Sequence, residues 1–279
     1  MAETTETLRE WSANAGAWRE HSGTIRAMFA PLTTAIIEDA GITSGQAVLD
    51  VAGGPGEPSM TIAEVVGPTG SVMCTDAVAG MVATAEDEAK HRGLTNVSFR
   101  QCLADALPFP DNSFDAAVSR LGAMFFPDVV AAAREMLRVL KPNGAICFVV
   151  WGPSERNPYT SIVTKTMSRY VPMPPAEPDA PGAFRFSEPG KLAGLLSQAG
   201  ATNVHEKQLD FRIEARLSPE QFWLMRAGVS GTLREKLAKM DPADARQAGL
   251  DVQEAVHEYF HDDQMSFPSQ MFVVSGRKP

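Results

Sequence analysis

Residues 47 to 59 read Ala-Val-Leu-Asp-Val-Ala-Gly-Gly-Pro-Gly-Glu-Pro-Ser, a short apolar run that empties into a glycine cluster and then into a helical pattern. The pattern predicts a strand, a tight turn and a helix. Gly53, Gly54 and Gly56 remove side chains that would hold a ligand away from the backbone, and the helix behind them offers unpaired amides at its N-terminus. A polar ligand is expected there. Twenty residues beyond Gly56, the apolar run Ser71-Val-Met-Cys-Thr-Asp76 ends on a carboxylate, the group that accepts hydrogen bonds from a ribose diol. The pair predicts a nucleoside cofactor.

Apolar runs alternate with helical stretches from 46 to 150, with strands expected near 46–52, 71–76, 97–102, 114–119 and 144–150. Alternation of this kind implies a parallel sheet. The helix before the last of these carries Val129 to Leu140 and is expected to end in Lys141-Pro142-Asn143-Gly144, a basic last turn followed by breakers. After Trp151, prolines interrupt a short helix near 158–170; then come a helix from Glu188 to Ala199, a strand near 202–213, about fifty helical residues, and a last strand from Ser266 to Arg277. No internal repeat is visible.

A dinucleotide fold uses the same strand, glycine turn and acidic strand end, so the glycines alone leave two readings open. The dinucleotide fingerprint asks for a small third residue where Ser59 stands. More specific is Ala104-Asp105-Ala106-Leu107-Pro108-Phe109-Pro110-Asp111, which leads into the strand at Phe114. Together with Val48-Leu49-Asp50-Val51-Ala52-Gly53-Gly54-Pro55-Gly56 and Cys74-Thr75-Asp76, this run resembles, in order and spacing, the motifs of class I S-adenosylmethionine-dependent methyltransferases. The nearest likeness is to the ubiquinone/menaquinone-biosynthesis subgroup. The resemblance covers about residues 11 to 210. Ala52 departs from the commonest pattern, which has glycine there, and Ala77-Val78-Ala79-Gly80-Met81 is less polar than the family's usual helix start.

The resemblance implies an α/β, doubly wound, Rossmann-like fold: a mostly parallel seven-stranded sheet with an antiparallel last strand, N-terminal helices and a helical lid. It divides the chain into an N-terminal helical cap over the site (1–45), a cofactor-binding core (46–152), a lid insertion (153–187) and the remainder of the core (188–279) with a helical insertion at 217–262. It also implies S-adenosyl-L-methionine as cofactor and S-adenosyl-L-homocysteine as product. The cofactor would be held by Ala52, Gly53, Gly54 and Gly56, by Asp76 on the ribose with Ala77 behind it, and by Asp105, Ala106 and Leu107 around the adenine. Met81 would lie against the adenine ring, and Ser119 and Arg120 would close the fourth strand under the methionine moiety. Plain alternatives stand beside these: a structural turn at the glycines, a cap at Asp105, core packing for Met81, and a surface ion pair of Arg120 with Asp128.

In-line displacement at a sulfonium needs mainly a nucleophile held about 3 Å from the methyl carbon, so little acid–base machinery is obligatory. His21 is the candidate general base, because an imidazole titrates near neutrality. His257 and His261, four apart, read as a helix surface rather than a metal pair, for want of a third ligand. Trp11 and Trp18 lie seven apart on one helical face. Trp18, Met124, Phe125, Trp151 and Tyr159 are the candidate acceptor contacts: Met124 and Phe125 stand just past the fourth strand, where open α/β folds take their ligands, and the resemblance implies that the segment with Trp18 folds over the cofactor; core packing is the alternative for each.

Composition excludes other classes. A net charge of −9 disfavours a nucleic-acid partner, which calls for clustered Lys and Arg. No long apolar span or export segment is visible, the start of the chain being acidic and polar, so a cytoplasmic enzyme without a membrane span is expected. Cys74, Cys102 and Cys147 match no metal spacing, so no metal is expected. The resulting expectation is methyl transfer to oxygen, less so to carbon or nitrogen, of a small apolar or aromatic metabolite. Alternatives are a sensor or rearrangement catalyst that uses the cofactor without methylating, and an NAD(P)-dependent oxidoreductase. A lid of this kind also serves some proteins as a dimer surface, which leaves a homodimer open.

Overall fold

In the computed structural model, residues 18, 20–171 and 179–279 are described. Two compact units partition the chain, one comprising Ala30–Gly152, Pro181–Leu209 and Met271–Pro279, the other Met1–Phe29, Pro153–Ala180 and Asp210–Gln270. They are called below the sheet unit and the helical unit.

The expected strands form where the apolar runs stand: β1 (Ala47–Val51), β2 (Ser71–Asp76), β3 (Val97–Gln101), β4 (Phe114–Arg120), β5 (Leu140–Trp151), β6 (Thr202–Arg216) and β8 (Gln264–Arg277), with an unexpected two-residue strand, β7 (Phe260–His261). Their order is β3-β2-β1-β4-β5-β8-β6, with β7 paired to β8. The first five strands pair in parallel, and β8 runs antiparallel to β5, with Cys147 opposite Ser275. This is the mostly parallel α/β sheet with an antiparallel late strand that the sequence implied. Chain order reverses between β1 and β4, and open sheets take ligands in the crevice beyond the strand ends at such a point.

In the sheet unit the helices are α2 (Ala30–Ala40), α3 (Ser59–Val66), α4 (Ala79–His91), α5 (Val129–Val139) and α7 (Lys191–Ala199). Their apolar stripes face the sheet: Leu32, Ile36, Met60, Ile62 and Met136 are wholly buried, as is Phe148 of β5. Helix α5 starts where Asp128 accepts from the Ala131 amide, so Asp128 is a cap and not a partner of Arg120.

One boundary differs from expectation. Helix α5 stops at Val139, and Lys141 to Gly144 belong to β5 rather than to a basic helix turn. The pairing slips between Phe114 and Ala116 to absorb them. Asn143 takes φ 63° and Lys141 Nζ donates to Asp115 Oδ1 at 2.7 Å, so the breakers make a bulged strand entry.

The helical unit contains α1 (Ser22–Met28), α6 (Pro158–Met167), α8 (Pro219–Val229), α9 (Gly231–Ala238) and α10 (Pro242–Val256). Asn157, fully buried, sits before α6: its amide donates to the Pro153 and Gln270 carbonyls and accepts from Ser269 and the Gln270 amide. Tyr159 is buried among Phe29, Phe222 and Phe267, with ring centroids 6.0, 5.6 and 5.7 Å away. His257 opens a single 3-10 turn and His261 lies in β7, so the two do not share a helix face. Among the described residues no helix is long and apolar enough to cross a membrane, and no group of three or more His, Cys, Asp or Glu could hold a metal.

Candidate active site

The turn after β1 is built by backbone conformations that most side chains resist. Ala52 and Gly54 take φ of 58° and 55°. A side chain at Gly54 would meet nothing within 4 Å, so this glycine leaves an open face to the crevice. Gly53 is needed for closeness instead: a Cβ there would stand 2.7 Å from Asp50 Oδ2 and 2.8 Å from Cys74 Sγ. Its amide donates to the Thr75 carbonyl at 2.8 Å, tying the turn to the end of β2.

Asp76 completes that tie. Its Oδ2 accepts from the Gly54 amide at 3.0 Å and its Oδ1 from the Val78 amide at 2.8 Å. Burial pushes its carboxyl above the usual range, while the bonds from Val78, Gly54 and Ala77 pull it back. Each oxygen keeps a second lone pair, so the group remains able to accept from a ligand's hydroxyls.

Beneath the turn lies a charged layer inside the core. Asp50 has no exposed surface, and its Oδ2 accepts from the Ser59 hydroxyl at 2.6 Å. Burial raises its carboxyl to about 7 against the opposing pull of Ser59 and of the Arg120 charge. Arg120 donates to Thr33 Oγ1 at 2.9 Å and to the Glu57 carbonyl at 3.1 Å, and the carboxylates facing it are Glu57 and Asp50. The surface pairing with Asp128 is therefore replaced by a buried one. Glu57 in turn pairs with Arg92 at 2.7 Å. Two buried oxygens in this layer lack partners, Asp50 Oδ1 and Ser119 Oγ.

The loop after β3 hangs from β2 through Cys102, whose amide donates to the Asp76 carbonyl at 3.0 Å. Asp105 and Ala106 are exposed and Leu107 is buried. The loop is held from α5: Arg138 donates to the Leu107 and Phe109 carbonyls at 2.9 and 2.8 Å and to Asp111 at 2.7 Å, while Glu135 Oε2 accepts from the Leu107 amide at 3.1 Å. Met81 is buried in the first turn of α4.

Residues 49–148 match the family model described as a methyltransferase domain. This segment is similar to methyltransferase domains. The ubiquinone/menaquinone biosynthesis C-methyltransferase of Cellvibrio japonicus is 37% identical over 135 residues, which is 48% of this chain and 53% of that protein. The chain thus spans about half the length of the curated relatives it matches. Two solved structures share the fold. The YcgJ protein from Bacillus subtilis has a TM-score of 0.56 and 22% identity, over 88% of this chain and 97% of that one. The [4+2]-cyclase SpnF has a TM-score of 0.54 and 24% identity, over 89% and 80%.

Within the matched segment, Ala52, Gly53, Gly54, Asp76 and Ala77 come together at the ends of β1 and β2. Ser119 and Arg120 join them from β4, where a Cβ at Gly122 would stand 2.7 Å from both Ala52 Cβ and Ser119 Oγ. Met124 is buried and its carbonyl accepts from the Gly182 amide at 3.1 Å; Trp151 is buried with its ring centroid 6.5 Å from that of Phe184. Phe125 is half-buried. Trp18, Tyr159 and His21 belong to the helical unit, where Trp18 Nε1 donates to the Val229 carbonyl at 3.2 Å and His21 precedes α1 without capping it. Trp11 lies outside the described residues. Sequence reading missed the working parts of the support: the Asp50–Ser59 bond, the close approach at Gly122 and the Glu135–Arg138 grip. Polar Asp50 inside an apolar strand, and two opposite charges three apart on α5, were the available signals.

Proposed function

We propose that this chain is an S-adenosylmethionine-dependent methyltransferase acting on a small apolar or aromatic acceptor. The observation that carries the reading is the Asp76 carboxylate bonded to the Gly54 amide at the β1–β4 crevice, with the open face of Gly54 beside it. The residues present fit the cofactor. Asp76 has lone pairs left for a ribose diol, Gly54 admits close approach, and Ser119 Oγ and Asp50 Oδ1 are buried oxygens still lacking partners. Asp105 to Leu107 would flank the adenine, with Met81 behind. When bound, the cofactor supplies a methyl group on a positively charged sulfur; the chain's share is to orient it and to exclude water. His21 is proposed as the base that takes the acceptor's proton.

For the accepting atom, the activity of the similar proteins, methylation of carbon in ubiquinone/menaquinone biosynthesis, favours carbon over the oxygen expected from sequence. A non-methylating use of the same pocket is the second reading, favoured by the fold shared with the [4+2]-cyclase SpnF.

The test is calorimetric titration with S-adenosylmethionine, S-adenosylhomocysteine and NADH in parallel, followed by product mass analysis on a panel of phenols and quinols. Micromolar binding of the two adenosyl ligands and none of NADH is expected, with a gain of one methyl and equal release of S-adenosylhomocysteine. Binding without methyl gain on any acceptor would favour the second reading; NADH binding alone would overturn both.

A further inference from the structure

The buried face of α8 carries Phe222, Met225 and Val229, as an amphipathic helix in a core should. Arg226 stands in the middle of that face, one turn after Phe222. Its guanidinium carbon lies 4.6 Å from the centroid of the Tyr159 ring, and its Nε is buried without a hydrogen-bond partner. Among the described residues no carboxylate or carbonyl receives a bond from it. Several other arginines drawn toward the interior are engaged: Arg92 with Glu57 and Glu64, Arg120 with Thr33 and Glu57, Arg138 with Glu135 and Asp111, and Arg185, through its terminal nitrogens and not its Nε, with the Phe126 and Pro127 carbonyls.

Arg226 is half-buried, so its guanidinium is partly drawn from water with no anion bonded to it, and stacking on an aromatic ring returns only part of that cost. Stacking also uses the face of the guanidinium and leaves its in-plane N–H groups free to meet a planar two-oxygen acceptor. One turn further along α8, the Trp18 indole is fixed by its bond to the Val229 carbonyl, which brings a flat apolar surface to the same stretch of helix. A single unpaired cation matches a single negative charge; a phosphate dianion would call for more than one.

We propose that Arg226 anchors a binding site within the helical unit for an aromatic carboxylate. The carboxylate bonds the guanidinium edge and the ligand's ring packs against the half-buried Trp18 indole. This inference does not rest on methyl transfer, because neither cofactor nor reaction enters it.

The test is titration of the full chain at low salt with benzoate and with benzamide, its neutral isostere. Benzoate should bind at least tenfold more tightly; Arg226→Gln should erase that preference, and Arg226→Lys should keep part of it. Equal affinity for the two, no binding of benzoate, or a preference that persists in Arg226→Gln overturns the proposal. Should Arg226→Gln not fold, the Nε resonance of the wild-type side chain, assigned as the one missing from Arg226→Lys, decides: benzoate should shift it and benzamide should not, and an unmoved resonance overturns the site.

Discussion

The Ser59 hydroxyl donates to Asp50 Oδ2 across 2.6 Å, inside the turn that joins β1 to α3. Ser59 stands where a dinucleotide fingerprint would carry a small apolar residue, and its hydroxyl gives a wholly buried carboxylate one of the bonds it needs. The other oxygen, Oδ1, has none, so the layer beneath the glycine turn responds to protons.

That response has a sign. Burial raises the Asp50 carboxyl to about 7 from 3.8, so the folded chain holds a proton that the unfolded chain releases near pH 4. The stability tied to Asp50 is complete below that point and is lost as pH rises toward 7. Asp50→Asn, neutral throughout, should gain on wild type by on the order of 4 kcal/mol between pH 4 and 7. Urea unfolding of both proteins at several pH values measures this. Parallel curves would mean that Asp50 stays ionised beside Arg120.

Asp76→Ala removes the acceptor for the Gly54 and Val78 amides as well as the proposed ribose contact. Cofactor affinity should fall by about 1–3 kcal/mol, the cost of leaving bonded groups unpaired. Calorimetry with S-adenosylhomocysteine reads it, and unchanged affinity would sink the placement of Asp76 at the ribose.

Gly122→Ala tests closeness rather than backbone freedom, since Gly122 has φ of −92°. The added methyl carbon would stand 2.7 Å from Ala52 Cβ and Ser119 Oγ. Overpacking of that kind costs about 1–3 kcal/mol, and the turn should yield, lowering thermal stability and cofactor affinity together. A variant with wild-type values for both would show that the β4 loop moves aside freely.

Arg138 grips the loop from Leu107 to Asp111 through two carbonyls and a carboxylate. Arg138→Ala should weaken cofactor binding by about 1–3 kcal/mol with kcat nearly preserved, and Arg138→Lys should recover part of the loss. Steady-state kinetics against cofactor concentration separates the two parameters; a fall confined to kcat would refute a role in holding the adenine loop.

His21→Ala should lower turnover at least tenfold while cofactor affinity holds. Single-turnover rates on an accepted substrate measure it, and unaltered turnover removes His21 as the base.

Local pattern alone carried the strands β1 to β5, the turn at Gly53–Gly56 and the acidic end of β2, because each follows from the alternation of apolar runs with glycine, proline and charge within a dozen residues. The late antiparallel strand came from the family resemblance. The start of β5 was misplaced, since the bulge at Lys141–Gly144 exists only because β4 lies beside it. Other features depend on partners far apart in the chain. For Arg120 the sequence left a place under the cofactor and a surface pair both open, and only α2 and the glycine turn enclose it with Thr33 and Glu57. The Glu135–Arg138 pair, three apart on α5, takes its role only when the loop after β3 comes to rest on it. Arg226 drew no reading from its place in the sequence, and its stacking on Tyr159 arises only when α6 and α8 meet. Sequence determined which residue types stand at the ends of the strands, because strand, turn and helix propensities act locally; tertiary structure decided which charges are buried and which are left without partners, because burial and pairing are properties of surfaces that meet only when the chain folds.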